Sequence, residues 1–197
     1  ISSIEDPIEI HLKGINQVQI NEKSGLTFNL ALRALMRQDP DVIMLGEIRD
    51  ATTAQTAFHA AETGHLVLAT LHANDAPSAL WRLRHVGIQS DTLANNLQCI
   101  TAQRLIRLSC QACSPLNAHI TCTHCRGSGF KHRTGVHQVM PISDAMKLLI
   151  ENNEPLSVIQ HQCQIEHIDT MADSAKKLIA KGLTTASEIT RSLGSLT

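Results

Sequence analysis

Two short apolar segments, separated by a stretch long enough for one helix, constrain the fold of this chain most strongly. Residues 42–45 read Val-Ile-Met-Leu and lead into Gly-Glu-Ile-Arg-Asp, and residues 66–71 lead into His-Ala-Asn-Asp. Short apolar runs bounded by polar residues are typical of buried strands, and a helical connection favours a right-handed crossover in a parallel sheet. We therefore predict an α/β fold in which the polar residues after each strand meet at one edge of a mostly parallel sheet.

Local signals predict the other elements. Residues 1–4 form a short apolar run before an Asp-Pro turn, and residues 17–21 alternate as in a short edge strand. Helices are expected where Ser, Thr or Asp can act as an N-cap and where Gly or Asp-Pro can end the helix. The expected helices cover residues 28–38, 51–63, 76–86, 144–152, 169–181 and 185–193, with another opening at Pro155 and a helix-to-strand passage over 92–108.

The predicted strand ends carry the candidate catalytic carboxylates. An apolar strand that closes on a carboxylate is the arrangement by which P-loop NTPases hold Mg²⁺ and position water. Glu47 suits a role beside Mg²⁺ or in polarising water, and the alternative is a strand-end ion pair with Arg49. Glu5 and Asp6 could orient water or hold a hydrated Mg²⁺, and the alternative is an ordinary Asp-Pro turn with a solvated glutamate.

Histidines and arginines supply further candidates. His65 and His72 bracket the second apolar strand, so one of them could sense the γ-phosphate of a nucleotide while the other is structural. Arginines could contact phosphate within one subunit or across a subunit boundary, and we favour Arg49 for this role. The arginine candidates are Arg33, Arg37, Arg49 and Arg104.

Four paired cysteines give the most specific local signal. Cys110-x-x-Cys113 and Cys122-x-x-Cys125 offer four thiolates, enough for a tetrahedral zinc site in a segment too polar to form its own core. Redox chemistry is the alternative, but neither pair lies beside a thioredoxin-like βαβ pattern. Because four sulfur ligands leave no open position on the metal, we expect zinc to be structural rather than catalytic.

The composition argues against several functional classes. The net charge is -1, and the chain has three Phe, one Trp and no Tyr, which opposes nucleic-acid binding. No apolar run approaches the roughly 18 residues of a membrane span. Paired cysteines indicate a metal site in a reducing compartment rather than a disulfide framework. The unpaired Cys99 and Cys163 are expected to be small buried side chains.

A nucleotide-binding P-loop is missing from the chain. The pattern G-x-x-x-x-G-K-[ST] does not occur, because no glycine directly precedes a lysine. We therefore expect a carboxyl-terminal part of a longer protein, with the phosphate cradle upstream and no ATP hydrolysis by this part alone. The strand-end motifs, together with the change in composition at Cys110, predict three segments: a partial ATPase core over 1–109, a zinc-binding tetracysteine segment over 110–135, and a helical region over 136–197.

With these motifs the chain resembles the type II secretion and type IV pilus assembly ATPases. Residues 4–9 (Ile-Glu-Asp-Pro-Ile-Glu) resemble their aspartate box, residues 37–50 their Walker B segment, and residues 64–75 their histidine box. Residues 102–136, with the paired cysteines, are similar to their tetracysteine region. The resemblance extends in the same order over residues 1–143.

The resemblance implies a RecA-like P-loop ATPase domain that uses ATP and Mg²⁺. It implies a homo-oligomer, a hexameric ring at the cytoplasmic face of the inner membrane, which moves an inner-membrane platform protein of a secretion or pilus machine. By the same resemblance Glu5 prepares the attacking water, Glu47 acts on the Mg²⁺ side, and His72, with His65, senses the nucleotide. The tetracysteine segment favours the assembly or secretion branch over retraction motors. The alternative is a catalytically inactive, zinc-bearing remnant or interaction module of the same family.

Overall fold

The computed structural model describes residues 1–113 and 122–194, which form two compact units. The first unit contains residues 1–73, 78–98 and 142–156, and the second contains the described residues of 74–77, 99–141 and 157–197. None of the helices in these described ranges is long and apolar enough to cross a membrane.

The first unit is built on a parallel sheet of four short strands. The strands are β1 (Ser2–Glu5), β2 (Asn16–Gln19), β3 (Val42–Leu45) and β4 (Leu66–Ala69). Their order is β2-β1-β3-β4, and each neighbouring pair is parallel. This confirms the α/β class with a parallel sheet, and it places the carboxyl ends of all four strands at one edge.

Two crossover helices cover one face of this sheet. Helix α1 (Phe28–Leu35) precedes β3, and helix α2 (Ala51–Glu62) joins β3 to β4. Their apolar sides pack on the sheet, so that Ile4, Ile43 and Leu45 are fully buried. The unit therefore has one continuous core between the helices and the sheet.

The starts of both helices follow the predicted capping. The Thr27 side chain accepts a hydrogen bond from the Leu30 amide at the start of α1, and the Asp50 carboxylate accepts one from the Thr53 amide at the start of α2. Each cap satisfies a backbone donor that has no partner within its helix. The Asp50 cap also fixes the direction in which the chain leaves β3.

The prediction that the segment 66–71 is a buried strand is wrong for most of its side chains. Leu66 is 54% exposed and Leu68 is 52% exposed, while Val67 between them packs against the core. β4 is the last strand of the sheet, and α1 and α2 cover only one face, so alternate side chains of β4 point to solvent. Met44, beside Leu68 in register, is exposed on the same face.

Three further helices come after β4 in the chain: α3 (Ala76–His85), α4 (Ser90–Asn96) and α5 (Asp144–Glu151). α4 packs against α5 within the first unit. The Arg84 guanidinium donates hydrogen bonds to the carbonyl oxygens of Ile150 (3.1 Å) and Glu154 (2.7 Å). This arginine therefore satisfies carbonyl groups at the carboxyl end of α5.

The second unit is built on a long antiparallel hairpin. β5 (Cys99–Ser109) pairs with β6 (Phe130–Pro141). Its core contains Ile106, Val136 and Ile189. The carboxyl-terminal helices of the chain are α6 (Leu156–Ile165), α7 (Met171–Ala180) and α8 (Ala186–Leu193). Within this unit α7 packs on β6 and α8 packs on β5.

Strand β6 crosses the predicted boundary between residues 135 and 136. Residues 136–141, the start of the predicted helical region, thus belong to a strand, because they pair with β5. The first helix of that region begins at Asp144. The three-segment division otherwise stays a prediction. Cys163 is buried as expected, whereas Cys99, at the start of β5, is exposed. The expectation of a buried Cys99 is therefore wrong.

Candidate functional site

Five of the predicted site residues follow β1, β3 and β4 at the carboxyl edge of the sheet. Ile4, Leu45 and Ala69 lie side by side in the strand register, so the chain segments after them start at the same level. Glu5 ends β1 and is followed by Asp6, Glu47 and Arg49 come after β3, and His72 comes after β4. This is the arrangement that the two apolar segments predict.

Gly46 lies where the chain after β3 passes close to β1. Its amide donates a hydrogen bond to the Ile4 carbonyl oxygen at 2.8 Å. A Cβ atom on Gly46 would lie 3.1 Å from that oxygen and 3.4 Å from the Glu5 Cα. On the other side, the Thr70 hydroxyl donates to the Gly46 carbonyl oxygen. The glycine thus allows a close approach of backbones directly before Glu47.

Arg49 joins the carboxylates of two strands. Its Nη2 lies 3.1 Å from an oxygen of Asp6 and 2.5 Å from an oxygen of Glu47, and its Nη1 lies 3.7 Å from Glu22. The guanidinium carbon also lies 5.6 Å from the centre of the Phe28 ring. The hydrogen bond from Arg49 is the main reason why the pKa of Glu47 is lowered, and Glu47 in turn raises the pKa of Arg49.

Glu47 also lies beside His72 at this edge. The second oxygen of Glu47 lies 3.5 Å from His72 Nε2. The Glu47 side chain is 23% exposed, whereas the His72 side chain is 94% exposed. The carboxylate is therefore held in place by Arg49, while nearly all of the imidazole surface is exposed to solvent. An ionised carboxylate beside an exposed imidazole suits a site for a cation and a phosphate.

Glu5 is held separately, by uncharged donors. The Ser3 hydroxyl donates to one Glu5 oxygen at 2.6 Å, and the Gln17 side-chain amide donates to it at 2.8 Å. These bonds lower the pKa of Glu5, with the Ser3 hydroxyl as the larger cause, so the carboxylate is ionised at neutral pH. Ser3 and Gln17 do not stand out in the sequence, although the spacing of Ser3 and Glu5 places both on one face of a strand.

The structure does not bring His65 to this edge. His65 precedes β4, at the opposite end of the strand, and its Nδ1 lies 2.9 Å from the Ala60 carbonyl oxygen and 3.3 Å from the Thr63 hydroxyl. These contacts tie the ring to the end of α2, which is the structural alternative for this residue. A parallel strand separates residues at its two ends, so only His72 reaches the site.

Two other candidate arginines of the first unit, Arg33 and Arg37, lie beside α1 and α2 rather than at the strand ends. Arg33 belongs to α1, Arg37 lies two residues past its end, and both line a groove between α1 and α2. Arg104 lies on β5 and donates to the Gln103 carbonyl oxygen at 3.1 Å. Of the three candidate arginines in the first unit, Arg49 is the one whose hydrogen bonds, within the described residues, reach the predicted catalytic carboxylates.

The four paired cysteines come together as one cluster. The sulfur atoms of Cys110, Cys113, Cys122 and Cys125 all lie within 4.8 Å of one another. A tetrahedral zinc ion with Zn–S bonds of about 2.3 Å separates its sulfur ligands by about 3.8 Å, so this spacing fits such an ion. His124 Nδ1 lies 3.6 Å from Cys110 Sγ.

The environment of Cys125 favours a thiolate. Burial opposes ionisation, but the hydrogen bond with Cys113 and the Gly129 amide, 3.3 Å from the sulfur, outweigh it and lower the pKa of Cys125 to about 6. The shared proton correspondingly raises the pKa of Cys113 to about 12. Metal binding requires deprotonated thiols, so a cluster that already favours one thiolate is suited to a cation.

Comparison with known proteins places these features in a family. Residues 1–191 match the family model described as "Type II/IV secretion system protein". The type II secretion system protein HxcR of Pseudomonas aeruginosa is 41% identical over 195 residues, which cover 97% of this chain and 42% of that protein. The type IV pilus assembly ATPase PilB of Acinetobacter baylyi is 38% identical and matches 97% of this chain and 37% of that protein.

Solved structures agree with these matches. The pilus retraction motor PilT, in a crystal structure with bound ADP, has 32% sequence identity to this chain. The two structures superpose with a TM-score of 0.74, and the match covers 97% of this chain and 51% of PilT. The ATPase DotB of Legionella pneumophila shares the fold, with 19% identity and a TM-score of 0.70 over 95% of this chain and 49% of that one. The chain spans less than half the length of HxcR and PilB. On these matches, the chain belongs to the type II/IV secretion system protein family.

Proposed function

We propose that this chain is part of a motor ATPase that hydrolyses ATP at the carboxyl edge of its parallel sheet. The observation that carries this proposal is the meeting of Glu5, Asp6, Glu47, Arg49 and His72 at that edge. ATP hydrolysis would power a type II secretion or type IV pilus assembly machine, as the names of the relatives support.

The carboxylates have different roles in the proposed reaction. Glu5, ionised and held from one side, orients the attacking water and accepts its proton. Glu47 and Asp6 would hold a Mg²⁺ ion, which would supply positive charge to offset that of the phosphates. Arg49 keeps both of these carboxylates in place and adds positive charge near the phosphates. His72 contacts the γ-phosphate through its exposed imidazole.

The phosphate cradle comes from outside this chain, because no G-x-x-x-x-G-K-[ST] pattern occurs in it. The exposed side of β4, with Leu66 and Leu68, offers a surface that an additional part of the full-length protein would cover. ATP turnover is accordingly a property of the full-length protein. The chain covers 42% of HxcR and 37% of PilB, which is consistent with that requirement.

The tetracysteine cluster binds one structural Zn²⁺ ion in this proposal. Cys110, Cys113, Cys122 and Cys125 would be its four ligands, with no position left for substrate. Full-length subunits would assemble into a hexameric ring at the cytoplasmic face of the inner membrane and act on a platform protein there. The tetracysteine cluster and the relatives' names support the assembly or secretion branch.

The test is ATP turnover by the full-length protein with Glu47→Gln, which removes the charge but keeps the shape of the side chain. We expect a loss of about 10²-fold or more in kcat, with the thermal midpoint unchanged. Glu151→Gln is the matched control, because Glu151 is an exposed glutamate at the end of α5 and belongs to none of the predicted motifs. Undiminished turnover in Glu47→Gln would remove this residue from the mechanism.

A further inference from the structure

The Glu5 carboxylate is held at only one of its two oxygens. The Ser3 hydroxyl and the Gln17 side-chain amide both donate to Oε1, at 2.6 and 2.8 Å. Within residues 1–113 and 122–194, no hydrogen bond reaches Oε2. A carboxylate held in this way has a fixed plane and one oxygen left to accept a proton.

Gln17 is itself held rigidly. Its side-chain nitrogen also donates to the Ile10 carbonyl oxygen at 3.0 Å, and its side-chain oxygen accepts from the Leu12 amide at 2.7 Å. Because the Leu12 amide can only donate, the nitrogen of the Gln17 side chain must face Glu5. The loop after Pro7 thus fixes the orientation of the group that contacts the carboxylate.

The carboxylate opens onto a cavity with room for water. Ser3, Glu5 and Gln17 line a cavity of about 180 Å³ together with apolar side chains that include Met44 and Leu12. A water molecule occupies about 30 Å³ in the liquid, so several can be placed beside Glu5. The wall that carries the two donors therefore also bounds the space in which an attacking water would lie.

We propose that Gln17 is a positioning residue for ATP hydrolysis: with Ser3 it holds Glu5 Oε1 and aims Oε2 at the attacking water. This inference rests on the proposed role of Glu5. In that step the water oxygen bonds to the γ-phosphorus, its proton passes to Oε2, and the bond from the γ-phosphorus to the bridging oxygen of ADP breaks. A general base must be held within hydrogen-bond reach of the proton it takes.

The test compares two glutamines of the same strand in the full-length protein. Gln19 lies opposite Glu5 in the strand register, but its side chain accepts from the Ile8 amide at 3.3 Å and does not contact Glu5. We expect Gln17→Ala to lower kcat about tenfold or more with KM for ATP within about twofold, because misplacing a reacting group by about 1 Å can cost 10²-fold. Gln19→Ala should change neither constant by more than about twofold.

A double-mutant cycle separates positioning from a general loss of structure. Gln17→Ala should cost nothing further in a Glu5→Gln background, since the group that it positions is already disabled. If Gln17→Ala unfolds the protein, Gln17→Met replaces it, because this uncharged side chain has a similar length but cannot donate to Glu5.

The outcomes distinguish this inference from the proposed function. If Glu5→Gln retains turnover, the proposed role of Glu5 fails and the positioning role fails with it. If Glu5→Gln loses turnover while Gln17→Ala, or Gln17→Met in its place, behaves like Gln19→Ala, only the positioning role is overturned. The positioning role would likewise be overturned if Gln17→Ala lowered kcat by the same factor in the Glu5→Gln background as in the wild type.

Discussion

Replacing the buried carboxylate of Glu188 should weaken the second unit. The Glu188 side chain is fully buried and accepts hydrogen bonds from the Arg107 backbone amide (3.0 Å), the Arg107 guanidinium (2.5 and 2.9 Å) and the Arg191 guanidinium (2.7 and 2.8 Å). Arg107 belongs to β5 and Glu188 to α8, so the pair joins two elements far apart in the chain. Arg107 also stacks on Phe130 of β6, 4.3 Å from the ring centre.

The expected cost of Glu188→Gln is about 3 kcal/mol. Removing one partner of a buried ion pair costs about 3–5 kcal/mol, and the low end applies because Arg107 and Arg191 are 41% and 56% exposed and can be rehydrated. The glutamine oxygen can still accept from the Arg107 amide. Glu188→Ala removes that acceptor as well, so its cost should be about 1 kcal/mol greater.

Native-state hydrogen exchange of the β5 and β6 amides measures this loss within the second unit. A cost of about 3 kcal/mol should speed exchange about 100-fold for amides that exchange through unfolding of this unit. Glu151→Gln makes the same chemical change at an exposed position of α5 and should alter exchange by less than about threefold.

The effect of Glu188→Gln should depend on pH. Hydrogen bonds from Arg191 and then Arg107 lower the pKa of Glu188 below the ordinary value of 4.5. A lowered pKa in the folded state adds stability that is fully present above the unfolded pKa and is lost as the pH falls towards the folded one. The difference between wild type and Glu188→Gln should therefore be full at pH 7 and shrink below about pH 4.5. Unchanged exchange at pH 7, or a gap independent of pH, would refute this reasoning.

Two other predictions concern the metal cluster and the strand edge. Anaerobically purified protein should contain about one equivalent of zinc, and Cys113→Ser should lower that content, whereas Cys99→Ser should not; protein without zinc would count against the site. Gly46→Ala should destabilise the first unit by about 1–3 kcal/mol in urea unfolding and lower ATP turnover, because its Cβ presses on the Ile4 carbonyl oxygen. An alanine variant with wild-type stability and turnover would show that this close approach is not required.

The sequence predicts local features of this fold well. Thr27, Asp50 and Ser143 each cap the helix that they were expected to start, since capping depends on residues only three positions apart. The meeting of polar residues at one sheet edge was also predictable, because parallel strands with helical crossovers share a direction.

Features that depend on distant pairing are harder to predict. Strand β6 is recognisable only as the partner of β5, from which it is separated by the cysteine segment. Glu188 looks like an ordinary helix-surface acid until the fold brings Arg107 to it from 81 residues away. The contact of Gln17 with Glu5 likewise depends on β2 lying beside β1. The exposure of Leu66 depends on the position of β4 at the edge of the sheet.

Phosphate release from ATP by the full-length protein, with and without Mg²⁺, tests the central claim most directly. The arrangement of Glu5, Glu47 and His72 predicts hydrolysis that requires Mg²⁺ and falls about 10²-fold or more in Glu47→Gln. A folded full-length protein that releases no phosphate from ATP would contradict the claim, and it would favour a zinc-bearing interaction module without catalysis.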